Sequence, residues 1–209
     1  MRKRCYVLLT ALLLIWAFSY PVMGQPTVSG DLSGQFGPGE YIVVGNCQVP
    51  AGQTLEILPG TSFLFSGHYT FNVNGTLHAD GTPVDSINFV RQFPDETCKH
   101  GGVRFNAGPN GSTMSYCHID FARNTNYPNW SGGGIFCNHT EVSISNCLIT
   151  NCYAYNLGGG IYASYAPMQI SDCIFIGNEA GNGGGVYLSY SNRSEIRNSA
   201  FAKNVSTST

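Results

Sequence analysis

Three sets of residues have the types and spacing to do chemistry. The first is polar: Arg104, His118, Asp120 and Arg123 fall close together in the chain and could converge on adjacent strands, bringing a base, an acid and two cations face to face. The second is aromatic: Phe136, Tyr162 and Tyr187 each follow an aliphatic residue, and Tyr165 and Tyr190 stand three places beyond the last two. Rings repeated in this way could stack on sugars, because aromatic faces suit apolar carbohydrate faces and phenol hydroxyls add hydrogen bonds. The same repetition would also let the rings pack on one another and stabilise an exterior. The third set is cysteine and histidine, in Cys98 with His100, Cys137 with His139, and Cys147 with Cys152, spacings too loose for a metal set and without a Cys-x-x-Cys pair. Buried free Cys is a common small apolar filler, so neither metal nor cofactor is expected. Glycoside hydrolysis needs one carboxyl to give a proton and another to direct water, and no Asp-Asp pair is present.

What must position these residues is a repeat. Gly132-Gly133-Gly134-Ile135-Phe136 returns from Gly158 to Tyr162 and again from Gly183 to Tyr187, at steps of 26 and 25 residues. A second landmark, Ile144 to Cys147, Ile170 to Cys173 and Ile196 to Ser199, keeps the same step. Gly101 to Phe105 reads as a degenerate earlier copy, and the excess length before the next one falls in Asn124 to Ser131, a loop insertion rich in Asn with one Pro. A phosphate loop is excluded, since no helix start follows the glycines. Helical repeats are excluded too, because each Gly in a helix interior costs about 1 kcal/mol. A period near 25 residues accommodates one coil of three short strands, each pairing in parallel with its equivalent about 4.8 Å away in the next coil. That is a parallel β-helix, a solenoid filled by columns of inward side chains.

Alternation within the coil assigns the columns. Ile135, Ile161 and Val186 point inward together, as do Ile144, Ile170 and Ile196, then Ile119, Ile149, Phe175 and Phe201, and then Cys117, Cys147, Cys173 and Ser199. Asn146, Asp172 and Asn198 sit at a bend, where Asn and Asp tolerate a left-handed backbone. Phe136, Tyr162 and Tyr187 point outward.

The N-terminus reads as a secretory leader over 1–24, with basic Arg2, Lys3 and Arg4 before an apolar stretch. That stretch is too short to span a bilayer, so no membrane span is expected in the mature chain. Removing three of the ten basic residues and none of the twelve acidic ones leaves a net charge of −5, which excludes nucleic acid as the expected partner. Of eight cysteines Cys5 lies in the leader, and the odd seven that remain argue against a complete disulfide framework. Residues 25–40 read as a polar lead-in, 41–100 as N-terminal capping coils and 101–209 as Gly-Gly repeat coils, with order beginning near Tyr41. The polar end after Asn204 lacks a cap, so the expectation is a fragment or the front of a longer surface protein. Six N-x-S/T sequons begin at Asn74, Asn110, Asn129, Asn138, Asn192 and Asn204.

At Gly133-Gly134-Ile135 and its copies, and at Phe175 to Asn178 and Phe201 to Asn204, the chain resembles polymorphic outer-membrane protein repeats within the right-handed parallel β-helix, or pectin-lyase-like, superfamily. In the first clear repeat the second motif degenerates to Ile149 through Cys152. The resemblance implies an all-β, right-handed parallel β-helix and leaves function open, since this fold carries lyases, hydrolases, adhesins and spikes alike. Lyases of the fold use a basic residue to abstract a proton, often beside acids holding calcium. The reading is an exported or cell-surface scaffold, adhesin-like or glycan-binding through Phe136, Tyr162 and Tyr187, with a glycan or host surface ligand as partner. The alternative is a carbohydrate-active enzyme, lyase or hydrolase, built on Arg104, His118, Asp120 and Arg123.

Overall fold

Alternating apolar and polar residues make strands when one face can be buried, and here the buried face closes on itself. The computed structural model describes residues 24–94, 99–126 and 128–208, all in strands, bends and turns. No helix occurs among the described residues, and none is long and apolar enough to cross a membrane. Residues 1–23 of the expected leader and Cys98 lie outside the described residues.

Every strand pairing among the described residues is parallel, so the strands stack as a β-solenoid of about six turns. The Gly-led flank stacks Phe71–Val73, Val103–Asn106, Ile135–Asn138, Ile161–Ser164 and Val186–Ser189. A second flank runs from Gly34–Phe36 through Thr76–Asp80, Ser112–Ser115 and Val142–Ser145 to Glu195–Arg197. A third flank runs from Thr61–Phe65 through Ile87–Arg91, Cys117–Asp120 and Leu148–Thr150 to Ala200–Ala202. The long strand Gly39–Val49 joins the first and third flanks, its start pairing with Thr61–Phe65 and its end with Phe71–Val73.

The registers match the expected columns. Ile135 pairs with Ile161 and Ile161 with Val186, Ile144 with Ile170 and Ile170 with Ile196, and Phe89, Ile119, Ile149, Phe175 and Phe201 form one continuous inward row. Phe175 and Phe201 stack at 4.7 Å with their planes 4° apart. The bend residues Asn146, Asp172 and Asn198 have φ of 52°, 55° and 47°, in the left-handed region that short polar side chains tolerate.

Two expectations need correction. Residues 25–40 are not a structureless lead-in: Thr27–Asp31 pairs with Gly39–Val49, and Gly34–Phe36 pairs with Thr54–Ile57. Leu32 is buried, Val28 and Phe36 pack on the core, and the Phe36 ring lies 5.2 Å from Tyr41 and 6.0 Å from Phe63. These apolar residues stand four apart among Gly and Pro, which conceals a strand period, yet they cover the first coil. The later coils also hold four strands rather than three. Arg123–Asn124, Tyr153–Leu157, Glu179–Asn182 and Val205–Ser206 form a fourth sheet just before each Gly run.

An internal ladder holds that corner. The Asn178 side chain accepts from the Cys152 backbone N–H at 3.0 Å and donates to the Ile149 carbonyl at 2.9 Å. Asn204 repeats the pattern, accepting from Asn178 N–H at 3.0 Å and donating to the Phe175 carbonyl at 2.9 Å. Cys152 occupies the equivalent place one coil earlier, fully buried, its thiol pushed up to about 12 by burial.

Candidate functional site

The polar set is divided by the fold. Arg104 stands on the Gly-led flank, His118 and Asp120 on the third, and Arg123 on the fourth sheet. The Arg104 guanidinium donates to the carbonyls of Ser131 and Gly132 at 3.3 and 3.4 Å and lies 4.2 Å over the Phe136 ring. It is only 3% exposed, and burial pulls its pKa down to about 10. Its donors are committed to fastening the Asn124 to Ser131 insertion. His118 and Thr150 are 3.1 Å apart, and Asp120 accepts from the Thr150 hydroxyl at 2.7 Å and the Asn151 amide at 2.9 Å. Burial lowers the His118 pKa, with the Asp120 charge opposing. The Arg123 guanidinium packs 4.4 Å over Phe121, whose ring also carries Arg91 at 3.6 Å. No hydrogen bond or ion pair joins Arg104 to the other three among the described residues. His118 and Asp120 thus share a strand and each meets the Thr150 hydroxyl on the neighbouring one, and Arg104 and Arg123 are stacked cations.

Cysteine and histidine do not converge either. Cys137 points inward while the next coil corner turns His139 outward. Cys47, Cys117, Cys137, Cys147, Cys152 and Cys173 are all free and buried, and burial pushes Cys47 up to about 12 and Cys137 higher still. Among the described residues no three His, Cys, Asp or Glu side chains are placed to hold a metal ion.

The aromatic residues do come together. Phe136 pairs with Tyr162 and Tyr162 with Tyr187, with centroids 5.5 and 6.0 Å apart. Arg104 caps the column's N-terminal end. A second column, His139, Tyr165 and Tyr190, runs beside it at 4.9 and 4.8 Å, the two tyrosines only 7° from parallel. Tyr165 is 52% and Tyr190 72% exposed. The first glycine of each run makes room for the inner column: a Cβ on Gly158 (φ 66°) would lie 2.8 Å from the Tyr162 Cα.

The geometry changes what these rings can offer. Rings 4.8 Å apart and nearly parallel cover one another's faces, so along the flank they present edges and hydroxyls rather than open faces for sugar stacking. Between the columns lie Asn138, Ser164 and Ser189, aligned by the same register. The hydroxyls of Ser164, Ser189 and the four tyrosines make no side-chain hydrogen bond among the described residues. Ser164 and Ser189 are not singled out in the sequence, where Asn138 stands only as a sequon start and His139 only beside Cys137. Strand alternation two places past each aromatic, and the 26-residue step from His139 to Tyr165, are the signals that locate them.

One further observation separates the outer column from the bend on the other side of the coil. His139, Tyr165 and Tyr190 have φ of 53°, 49° and 50°, a conformation costing an L-residue roughly 1 kcal/mol or more. Asn or Asp occupies the comparable bend at 146, 172 and 198; here large rings are held in the costly conformation in three successive coils. No family model, no curated protein and no solved structure matches the chain.

Proposed function

We propose that the chain is an exported, surface-displayed β-helix scaffold that recognises glycan on its Gly-led flank and catalyses no reaction. The observation that carries this reading is the pair of aromatic columns bordering a row of Asn and Ser, with unpaired hydroxyls in two successive coils, at Tyr162, Ser164 and Tyr165 and at Tyr187, Ser189 and Tyr190. Polar hydroxyls kept in fixed geometry at small entropic cost are what polyol recognition requires. The leader-like start and the two motifs resembling polymorphic outer-membrane repeats support export and display, and are the ground for likening the fold to the pectin-lyase-like solenoids. The enzymatic alternative loses its strongest member, because Arg104 is spent on backbone carbonyls and a ring.

The test is retention of the purified protein on immobilised polysaccharides. Replacing Tyr162 and Tyr187 together by Ala is expected to weaken retention about tenfold while leaving the circular dichroism of the fold nearly unchanged. Unchanged retention would leave the inner column a purely structural feature. Reproducible cleavage of any polysaccharide would replace the binding reading with the enzymatic one.

A further inference from the structure

Resting on the glycan-binding reading, the chemistry and repeat of the flank narrow the ligand class. The strip between the columns carries Asn138, Ser164 and Ser189, and its borders are phenols, one phenyl ring and His139; no carboxylate, lysine or accessible arginine belongs to it. The nearest cation, Arg104, is 3% exposed with its donors occupied. Beyond the outer column, Glu141 and Arg193 line the same depression on the second flank and carry opposite signs. An acidic polysaccharide would therefore find no pairing charge, and burying its carboxylates against rings would cost solvation without compensation. A neutral polyol loses nothing of that kind and meets a row of free hydroxyls.

Direction follows from the register. Along one strand, from Tyr162 to Tyr165, the sequence aromatic, serine, aromatic occurs once, over about 10 Å. Along the axis the set recurs at about 4.8 Å, the spacing of paired strands, as Tyr187, Ser189 and Tyr190 in the next coil and as Phe136, Asn138 and His139 in the preceding one. Only a polymer running along the axis can present a like unit to each like set.

We propose that the ligand is a neutral, extended polysaccharide laid parallel to the solenoid axis, held edge-on between the columns with Ser164 and Ser189 beneath it. Each unit exchanges hydrogen bonds with one coil's serine and phenol hydroxyls, and successive units occupy successive coils.

The test is a calorimetric titration of the whole protein with neutral oligosaccharides of two to six units, drawn from β-linked glucose, mannose and N-acetylglucosamine series, against polygalacturonate as the acidic arm. The expected result is saturable binding of at least one neutral series, with affinity rising to about three units and then levelling, and little change on adding salt. Replacing Ser164 and Ser189 together by Ala should weaken that binding about tenfold, while Ser143→Ala with Ser145→Ala on the second flank should not. Salt-sensitive binding confined to polygalacturonate would overturn the proposal and leave glycan recognition standing. Equal affinity for two and six units would overturn the axial arrangement, and binding of no saccharide would overturn both readings.

Discussion

His100 shows how a single residue can be misjudged from its neighbours in the chain. Beside Cys98 it has the spacing of a loose metal pair, yet its imidazole is fully buried, stacked 4.4 Å from the Phe65 ring. One ring nitrogen lies 2.9 Å from the Asp120 carbonyl, and the other accepts the Gly102 N–H at 3.2 Å. This arrangement suits the neutral ring, with one nitrogen donating and the other accepting. Burial accordingly depresses the His100 pKa to about 4, against an ordinary value of 6.5. The sign follows directly: the unfolded chain takes up a proton as pH falls below 6.5, the folded chain resists until about 4, and stability present at neutral pH is lost across that window. The loss attributable to His100 is at most about 3 kcal/mol. Urea unfolding at pH 7 and pH 4.5 checks this: the wild type should lose stability on acidification, and His100→Gln should start less stable and lose distinctly less. Equal acid sensitivity in both would show that His100 is not the titrating group.

At the scale of the element, the corner before each Gly run is where backbone spacing is tightest. A Cβ on Gly159 would meet the Gly184 carbonyl at 2.4 Å and the Glu179 carbonyl at 2.5 Å, so the glycine is required by close approach of two strands. The Asn ladder holds those strands in place from inside. Asn178→Ala should cost about 2–4 kcal/mol, because the Cys152 N–H and the Ile149 carbonyl are left buried without partners. Asn178→Cys should cost less, since Cys152 already fills that place one coil away and donates its thiol to the Thr150 carbonyl at 3.2 Å. Midpoints of chemical denaturation rank the three proteins, and indistinguishable midpoints would remove the ladder from the account. The sequence motif ending in Asn announced that something recurs there. It did not announce an inward side chain, because Asn is ordinarily a surface or turn residue and its burial depends on partners contributed by the coils on either side.

At the scale of the whole molecule, the period was readable because a solenoid repeats its environment: the demand for an aliphatic residue at 135 recurs at 161 and 186, so the columns can be written from the chain alone. The fourth sheet was not readable, since Arg123–Asn124 and Val205–Ser206 are only two residues long and too short to show alternation. The candidate site was legible in part. Phe136, Tyr162 and Tyr187 were identifiable as an outward column, but the mutual covering of the rings and the free serine row emerge only once the coils are stacked. Arg104, His118, Asp120 and Arg123 looked convergent because nearness in sequence suggests nearness in space, whereas a coil carries residues twenty apart to different flanks. On the glycan-binding proposal, ligand contact is made on the Gly-led flank and nowhere else. Backbone amide NMR shifts recorded during titration with the neutral hexasaccharide that binds in calorimetry test it most directly. The account predicts that perturbations cluster at residues 162–165 and 187–190; perturbations centred on His118, Asp120 and Arg123 instead would contradict it.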